Sequence, residues 1–376
     1  MKDIETDVVI AGAGISGLLL GVKLARVGLR VVLVEQASKI GSGASSRNEG
    51  WLHSGSYHAA AISDFRTAVR VARKCLYGNS QIRQIAPESL YAADEPAVAL
   101  VNDPHRSGEA EARWKEAGVP FRRADLAELR PNLASADLSR VHRAYYVEDI
   151  GFDARILYRR LLTEANLHGV VVLTGHRLVF DPGGGIRCRD DRGVLACTVQ
   201  SKKIVLATGR ETGRMVKDLG CDIPIRLWKS HILYGPAVLD RPVFWLDSLE
   251  AAVMHHPPGL NVVGLTNDAY EVQDTDTSVK AERVDLLRGA LARTVLPGTD
   301  LTRFSAYACI KVDIGEGQAP LSVEADIRQL AEDVYCVLPG KLTEAPYVTD
   351  RLVHRICRDL PSEDVAMRPW DETSME

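Results

Sequence analysis

Three glycines near the start of the chain have the spacing of a phosphate-binding turn. Gly12, Gly14 and Gly17 lie in the stretch GAGISG. This spacing permits a tight turn, a close approach of backbone to a pyrophosphate, and close packing of a helix on a strand. The acidic residue Glu35 follows at about the distance where such motifs place a partner for a ribose diol. The pattern predicts a dinucleotide site, and it fits NAD and FAD equally because both carry adenosine diphosphate.

The residues around this turn have the pattern of a β-α-β unit. Residues 6–11 form a short β-branched run, residues 15–27 repeat apolar side chains at helical spacing, and residues 30–34 form a second apolar run. This order places a bound phosphate at the N-terminus of the helix, where N–H groups and the helix dipole attract anions.

Three later stretches bear on the choice of cofactor. Residues 45–55 (SSRNEGWLHSG) are rich in hydroxyl and small side chains, residues 204–209 (IVLATG) are an apolar run that ends in a glycine turn, and residues 339–343 (PGKLT) follow the last apolar run. Hydroxyl groups and exposed amides suit a phosphate, and small residues let the backbone approach a flat ring. These properties suit a dinucleotide with a flat ring, and the choice between NAD and FAD follows from a family resemblance.

In this order the motifs resemble those of the FAD-dependent D-amino-acid oxidase superfamily, and most closely its glycerol-3-phosphate dehydrogenase and L-2-hydroxyglutarate oxidase branches. The resemblance spans nearly the whole chain, and it implies FAD as the cofactor. The residues assigned to FAD in this way are Gly12, Gly14, Ile15, Ser16, Gly17, Glu35, Gln36, Ser45, Ser46, Asn48, Gly50, Trp51, Leu52, Val179, Ala207, Thr208, Gly209, Gly340, Lys341, Leu342 and Thr343.

Two residues are the candidate catalytic groups. The resemblance implies that His53 lies near the flavin, and histidine can take an alcohol proton at neutral pH. Lys341 lies in the segment that, in glycerol-3-phosphate dehydrogenases, meets the pyrimidine edge of the flavin. A helix N-terminus with a nearby ammonium there stabilises the reduced cofactor. We expect Thr343 to be the N-cap of that helix, with Pro346 in its first turn.

The candidate substrate-binding residues are cationic or aromatic. Lys229 and His231 fall on one face of a predicted strand, so both point into a cavity or both point at solvent. Lys311 lies where relatives carry an arginine that grips an acidic group, and Tyr57 and His58 lie where glycerol-3-phosphate dehydrogenases continue to a phosphate-binding arginine. These two departures argue against glycerol 3-phosphate itself as the substrate.

The leading hypothesis is an FAD-dependent enzyme that removes hydride from a secondary alcohol carbon of a small anionic or polyol-like substrate, such as a 2-hydroxy acid. Electrons would pass to oxygen or another acceptor. An amine or amino-acid oxidase is the first alternative, because flavin handles C–O and C–N substrates through similar geometry. A non-catalytic FAD-binding protein is the second alternative. A nicotinamide dehydrogenase, colourless when purified, is the third.

Composition narrows the class of protein further. A chain of 376 residues with 46% hydrophobic and 26% charged residues is typical of a folded protein of two lobes. Forty-six Lys and Arg against 50 Asp and Glu give a net charge of −4, which does not favour nucleic acid as a partner.

Seven scattered cysteines predict neither a disulfide framework nor a zinc site. With no signal peptide and no apolar span, we expect a cytoplasmic protein without a membrane segment.

The order of segments predicts an α/β fold of two domains. We expect a Rossmann-like FAD-binding domain of the glutathione-reductase type from residues 1–85, 147–220 and 326–376. We expect a second, α+β substrate domain, built on an antiparallel sheet, from residues 86–146 and 221–325. The sequence does not indicate an oligomeric state.

Overall fold

The structure is a computed structural model that describes residues 2–91, 96–131, 133–181, 185–246, 251–265, 268–315, 321 and 324–360. The described chain divides into two compact units, each assembled from segments that are distant in sequence. Unit 1 consists of the described residues of Met1–Ser46, Arg155–Leu227 and Lys311–Ser374, and unit 2 of those of Arg47–Ala154 and Trp228–Ile310. The domain boundaries expected from the sequence stay a prediction, and residues 361–376 of the expected FAD-binding domain lie outside the described residues.

Within the described residues the chain forms nine α-helices and nineteen β-strands. The helices are α1 Ile15–Arg26, α2 Ser56–Ala61, α3 Phe65–Ile85, α4 Pro104–Ala117, α5 Leu126–Leu129, α6 Ala154–Leu167, α7 Thr212–Asp218, α8 Ala281–Thr294 and α9 Ala345–Asp359. The strands are β1 Lys2–Ala11, β2 Val31–Glu35, β3 Trp51–Leu52, β4 Ala97–Val101, β5 Phe121–Ala124, β6 Arg143–Val147, β7 Ile150–Gly151, β8 Val171–Thr174, β9 His176–Phe180, β10 Ile186–Asp190, β11 Leu195–Leu206, β12 Ile225–Pro236, β13 Val243–Trp245, β14 Ala251–His256, β15 Leu260–Leu265, β16 Tyr270–Val272, β17 Ser305–Ile314, β18 Asp326–Ala331 and β19 Val334–Leu338. None of the described helices is both long and apolar enough to cross a lipid bilayer.

Unit 1 is built on a mostly parallel sheet with the strand order β18-β19-β11-β1-β2-β8, and β10 and β9 extend it from β11. The pairs β11–β19, β1–β11, β1–β2 and β2–β8 are parallel. Val8, Val9 and Ile10 of β1 are completely buried, as a strand covered on both faces requires. Strand β1 begins earlier than the sequence predicted, because Lys2 and the residues after it pair with the first half of β11.

Helix α1 directly follows the glycine turn and is fastened to α9. The Nζ atom of Lys23 lies 2.8 Å from a carboxylate oxygen of Asp350 and donates to the carbonyl oxygen of Pro346 at 3.0 Å. Burial lowers the pKa of Lys23, and the charge of Asp350 opposes that effect. The C-terminal part of α1 is therefore joined to the first turns of α9 within unit 1.

Unit 2 is centred on a nine-stranded sheet with the order β16-β12-β15-β14-β13-β4-β6-β5, and β17 pairs with β12. The pairs β12–β15, β14–β15, β13–β14, β4–β6 and β5–β6 are antiparallel, whereas β13–β4 is parallel. The sheet is therefore mixed, although mainly antiparallel. The α/β fold predicted from the sequence is confirmed, with a parallel sheet in one unit and this sheet in the other.

The fully buried strand β4 shows how helices cover the sheet of unit 2. Val98 and Leu100 pack in a cluster that includes Leu287 of α8, whereas Ala99 packs in a second cluster with Trp114 of α4. Because successive side chains of a strand point to opposite faces, the two clusters lie on opposite faces of the sheet.

Candidate functional site

The glycine turn between β1 and α1 has no room for a side chain at two of its positions. Gly12 has a φ of +99°, and a Cβ atom there would lie 2.4 Å from the carbonyl oxygen of Ala207. A Cβ atom on Gly17 would lie 1.9 Å from the carbonyl oxygen of Gly12. The first approach brings the end of β11 against the turn, and the second sets α1 against it. Both positions therefore require glycine.

Helix α1 presents its N-terminus without a side-chain cap. Gly14 is the N-cap residue and offers no acceptor to the first N–H groups. The N–H of Ile15 donates to Ser45 Oγ at 3.2 Å. The buried hydroxyl of Ser16 has no hydrogen-bond partner among the described residues. Helix N–H groups beside an unsatisfied hydroxyl form the kind of site that binds a phosphate group.

Glu35 is fixed at the end of β2 by two backbone amides. Its Oε2 atom accepts from the N–H of Ala13, and its Oε1 atom accepts from the N–H of Ala37, both at 2.8 Å. An ionised carboxylate has about four lone-pair positions, so acceptor capacity is left for a ribose diol. The next predicted residue, Gln36, is exposed.

A tyrosine that the sequence did not point to supports the serine-rich stretch. The hydroxyl of Tyr158, on α6, donates to the carbonyl oxygen of Ser45 at 3.1 Å. Burial raises the pKa of Tyr158, so its hydroxyl stays protonated and can donate. Ser46 follows at the end of a 3₁₀ turn and is exposed.

The stretch at the end of β11 lies beside the glycine turn. The N–H of Ala207 donates to the carbonyl oxygen of Ala11 at 2.8 Å, and the hydroxyls of Thr208 and Thr212 are 3.0 Å apart. Gly209 begins the next turn and is exposed. The predicted residue Val179 lies on β9, where it pairs with Arg187 of β10.

The PGKLT segment forms a 3₁₀ turn that leads into α9. The carbonyl oxygen of Lys341 accepts from the N–H of Glu344 at 3.1 Å, and Gly340 and Leu342 flank Lys341 as half-buried residues. The prediction that Thr343 caps the helix was wrong. Helix α9 begins at Ala345 with Glu344 as its N-cap, because the intervening 3₁₀ turn moves the start of the α-helix by one residue.

In unit 2, His53 pairs with a buried carboxylate. Its Nδ1 atom lies 3.1 Å from Oδ1 of Asp149, whose side chain is completely buried. The hydroxyl of Ser54 donates to Oδ2 of Asp149 at 2.5 Å, and the hydroxyl of Ser56 donates to the same oxygen. The side chain of His53 is 21% exposed. The arrangement is a histidine held by an acidic partner, with its ring near the surface of the unit.

Two rings lie beside His53. Trp51 is nearly parallel to it, at 12° and 6.1 Å between centroids, and His58 meets it edge-on at 4.7 Å. Tyr57 meets His58 edge-on at 5.4 Å and Phe244 at 5.6 Å. The predicted substrate residues Tyr57 and His58 and the predicted catalytic residue are therefore neighbours.

The other predicted cofactor residues of unit 2 form the strand end that leads to His53. Asn48 accepts from the N–H of Gly50 at 2.9 Å through its side chain and from the hydroxyl of Tyr307 at 3.1 Å through its carbonyl. Trp51 and Leu52 form β3, and both are buried.

Lys229 and His231 point into unit 2. Lys229 is 2% exposed, and its Nζ atom lies 3.1 Å from a carboxylate oxygen of Asp276. His231 is 1% exposed and accepts from the N–H of Lys280 at 3.2 Å. Burial lowers the pKa of His231, in the direction of the neutral ring that can accept at Nε2. Both side chains hold the segment before α8 against β12. The alternation of side chains along the predicted strand did not show this contact.

The remaining predicted substrate residue, Lys311, lies in unit 1 on β17 and is half-buried. Nearby in the sequence, Asp313 forms a buried ion pair with Arg226, with Oδ2 and Nη2 2.5 Å apart. This pair fixes β12 to β17 within unit 1.

Each unit brings together part of the predicted site. In unit 1 the structure joins the glycine turn, Glu35, Ser45 and Ala207, and in unit 2 it joins His53 with the predicted aromatic residues. The sequence missed Asp149, Tyr158 and Asp276. No local signal identifies them, because each lies far along the chain from the residue that it contacts.

Comparisons with known proteins agree with the expectation that this chain binds a flavin. Residues 7–320 match the family model DAO, described as FAD dependent oxidoreductase. The chain is 28% identical over 396 residues to a probable FAD-dependent oxidoreductase of Pseudomonas aeruginosa, covering 97% of this chain and 94% of that protein. It is 30% identical over 332 residues to one subunit of the anaerobic glycerol-3-phosphate dehydrogenase of Escherichia coli, covering 84% of this chain and 58% of that protein.

A similar solved structure is the glycine oxidase from Geobacillus kaustophilus. It matches with a TM-score of 0.73 at 17% identity, covering 99% of this chain and 98% of that chain. Similarity at this level of identity shows the fold. The similar proteins include a glycerol-phosphate dehydrogenase and an amino-acid oxidase, so the substrate class has to be argued from the site.

Proposed function

The chain belongs to the DAO family of FAD-dependent oxidoreductases, and on that premise we propose that it oxidises a secondary alcohol carbon in a small anionic or polyol-like molecule, such as a 2-hydroxy acid. Electrons then leave the enzyme to oxygen or another acceptor. In this proposal unit 1 is the FAD-binding domain and unit 2 the substrate domain. FAD supplies a hydride acceptor when it is bound.

The residues of unit 1 fit the adenosine diphosphate part of FAD. The N-terminus of α1 and the hydroxyl of Ser16, which has no partner among the described residues, suit the pyrophosphate. Glu35 is oriented by two amides and can accept from a ribose diol. Gly12 and Gly17 keep the turn free of side chains. We assign the pyrophosphate to Ser16 and Ser45 and the ribose to Glu35.

One observation carries the alcohol assignment: His53 is a partly exposed imidazole in a cluster of aromatic rings. When an alcohol carbon is oxidised, the hydroxyl proton must leave, and an imidazole is suited to take it near neutral pH. A neutral amine needs no such base, because its nitrogen lone pair assists the departure of hydride. In this proposal His53 takes the proton at Nε2, and Tyr57 and His58 form the wall beside it.

Cationic side chains favour an anionic substrate. We assign the substrate carboxylate to Lys229, which Asp276 neutralises in this structure. An anionic substrate takes the place of Asp276, whose side chain is more than half exposed and can move away. Lys341 and Lys311 are further positive charges, and we assign Lys341 to the cofactor because it lies at the turn before α9.

The proposed setting is the cytoplasm, with a small-molecule substrate and an electron acceptor as partners. All seven cysteines lie in the described part of the chain, and each is a thiol outside any disulfide. Cysteines in the thiol form are typical of a reducing compartment.

Anaerobic reduction of the bound flavin tests the proposal. The holoenzyme is mixed with 2-hydroxy acids, polyol phosphates and amino acids, and the loss of flavin absorbance is followed. We expect a hydroxylated anion to bleach the flavin, and we expect His53→Asn to slow bleaching by about 10²-fold or more. The matched control, His176→Asn, changes a half-buried histidine on β9 in unit 1 and should leave the rate unchanged. Bleaching by amino acids alone would contradict the proposal in favour of amine oxidation, and no bleaching by any compound would favour a non-catalytic protein.

A further inference from the structure

The buried carboxylate of Asp149, in unit 2, has no role in the proposed function as described above. Its side chain is 0% exposed, and three side chains direct donors at it: His53 Nδ1 at 3.1 Å, Ser54 Oγ at 2.5 Å, and Ser56 Oγ. A buried ionised carboxylate is stable only when hydrogen bonds replace its water. The segment 53–56 supplies these bonds.

The strand register makes the pairing of His53 and Asp149 a product of the backbone. Strands β3 and β7 are antiparallel, with Trp51 opposite Gly151 and Leu52 opposite Ile150. The next opposed positions are His53 and Asp149. The pairing is therefore set by the ladder and does not depend on two flexible surface chains.

A buried amide ties the two loops together beyond the ladder. The Nδ2 atom of Asn79, on α3, donates to the carbonyl oxygen of Leu52 at 3.2 Å and to that of Glu148 at 3.4 Å. These carbonyls belong to the residues just before His53 and just before Asp149. Both loops are thus held at the point where the imidazole meets the carboxylate.

The direction of each hydrogen bond follows from chemistry. The hydroxyls of Ser54 and Ser56 donate to Oδ2 of Asp149, and its Oδ1 accepts from the imidazole, so Nδ1 of His53 carries the proton of this hydrogen bond. A neutral imidazole with its proton on Nδ1 has its lone pair on Nε2. The ring of Trp51 is nearly parallel to the imidazole, with centroids 6.1 Å apart.

We propose that Asp149 is a positioning residue that holds His53 in the Nδ1–H form and stabilises the imidazolium formed when Nε2 takes the substrate proton. In that step the O–H bond of the substrate breaks and an N–H bond forms at Nε2, so the positive charge arises on a ring whose Nδ1 lies 3.1 Å from Oδ1 of Asp149. The proton transfer rests on the proposed function. The tautomer of His53 is a property of the resting holoenzyme and does not depend on the proposed function.

The test is ¹⁵N nuclear magnetic resonance of the holoenzyme with labelled histidine, in which His53 is identified by its loss in His53→Asn. The wild type should show His53 with its proton on Nδ1 when the ring is neutral, and Asp149→Asn should lose this preference. The control, Glu148→Gln, removes the exposed neighbouring carboxylate and should retain it. A wild-type His53 protonated on Nε2 would overturn the inference, even if Asp149→Asn fails to fold.

Kinetics supply the second readout. Asp149→Asn should lower kcat by about 10²-fold or more, as expected for impaired general-base catalysis, with KM nearly unchanged because Asp149 is buried behind His53. Glu148→Gln should match the wild type. An unchanged kcat in Asp149→Asn, together with a large loss in His53→Asn, would overturn the inference and leave the proposed function standing. A holoenzyme that is not reduced by hydroxylated anions but has an Asp149-dependent Nδ1–H form would contradict only the proposed function.

Discussion

Substitutions at two glycines of helix α1 measure how tightly this helix packs against the glycine turn. A Cβ atom on Gly17 would lie 1.9 Å from the backbone oxygen of Gly12, whereas a Cβ atom on Gly21 would meet only side-chain methyl groups, the nearest being that of Leu33 at 3.6 Å. Each Gly→Ala change gains about 0.5–1 kcal/mol of helix stability. In Gly17→Ala the collision with a backbone atom costs about 3 kcal/mol or more, at the upper end of overpacking. The net loss is about 2 kcal/mol or more, and Gly21→Ala should be neutral or stabilising.

The assay follows both variants with and without FAD. Without cofactor, Gly17→Ala should melt at a lower temperature than the wild type. It should also bind FAD at least about tenfold more weakly than the wild type, because α1 must shift to relieve the collision and this moves the N–H groups at its start. Calorimetry measures the first effect and flavin fluorescence the second. Equal melting temperatures and equal FAD affinities for Gly17→Ala and Gly21→Ala would refute the account of the turn.

Three further predictions test other contacts. Tyr158→Phe removes one hydrogen bond of 3.1 Å from the serine-rich stretch and should cost about 1 kcal/mol, seen as about fivefold weaker FAD binding by fluorescence titration; unchanged affinity would show that the bond is not needed for binding. Asp276→Asn should lower KM for an anionic substrate by up to about fivefold, because Lys229 loses a competing carboxylate, and an increased KM would contradict that role. The hydrogen bond from Arg30, against the opposing effect of burial, holds the pKa of Asp7 well below its usual value. The stability that Asp7 contributes is therefore present above the usual carboxyl pKa. It is lost as the pH falls from the usual carboxyl pKa towards the lower pKa that Asp7 has in the folded protein. Between about pH 5 and pH 3 the melting temperature of Asp7→Asn should therefore fall less than that of the wild type.

Local sequence signals predicted the parts of the fold that depend on neighbouring residues. The glycine spacing placed the start of α1 at Ile15, and the β-branched runs around it identified β1 and β2. The motifs also indicated the family and FAD, which the match over residues 7–320 confirms. These features were predictable because a turn, a helix start and a buried strand each leave a pattern within a few residues.

Contacts between distant segments were not predictable in this way. Asp149 reaches His53 through the register of two-residue strands that carry no recognisable pattern of their own. Asp276 neutralises Lys229 from a segment without regular structure. The N-cap of α9 was misplaced because a PGKLT sequence does not distinguish a 3₁₀ turn from the first turn of an α-helix.

The proposed oxidation is measured by single-turnover reduction of the bound FAD with a hydroxylated anion that carries deuterium on the hydroxyl-bearing carbon. Bleaching should slow severalfold with deuterium, because that C–H bond breaks, and it should become slower by about 10²-fold or more in His53→Asn. A bound flavin that is reduced by amino acids and by none of the hydroxylated anions would contradict oxidation of an alcohol carbon.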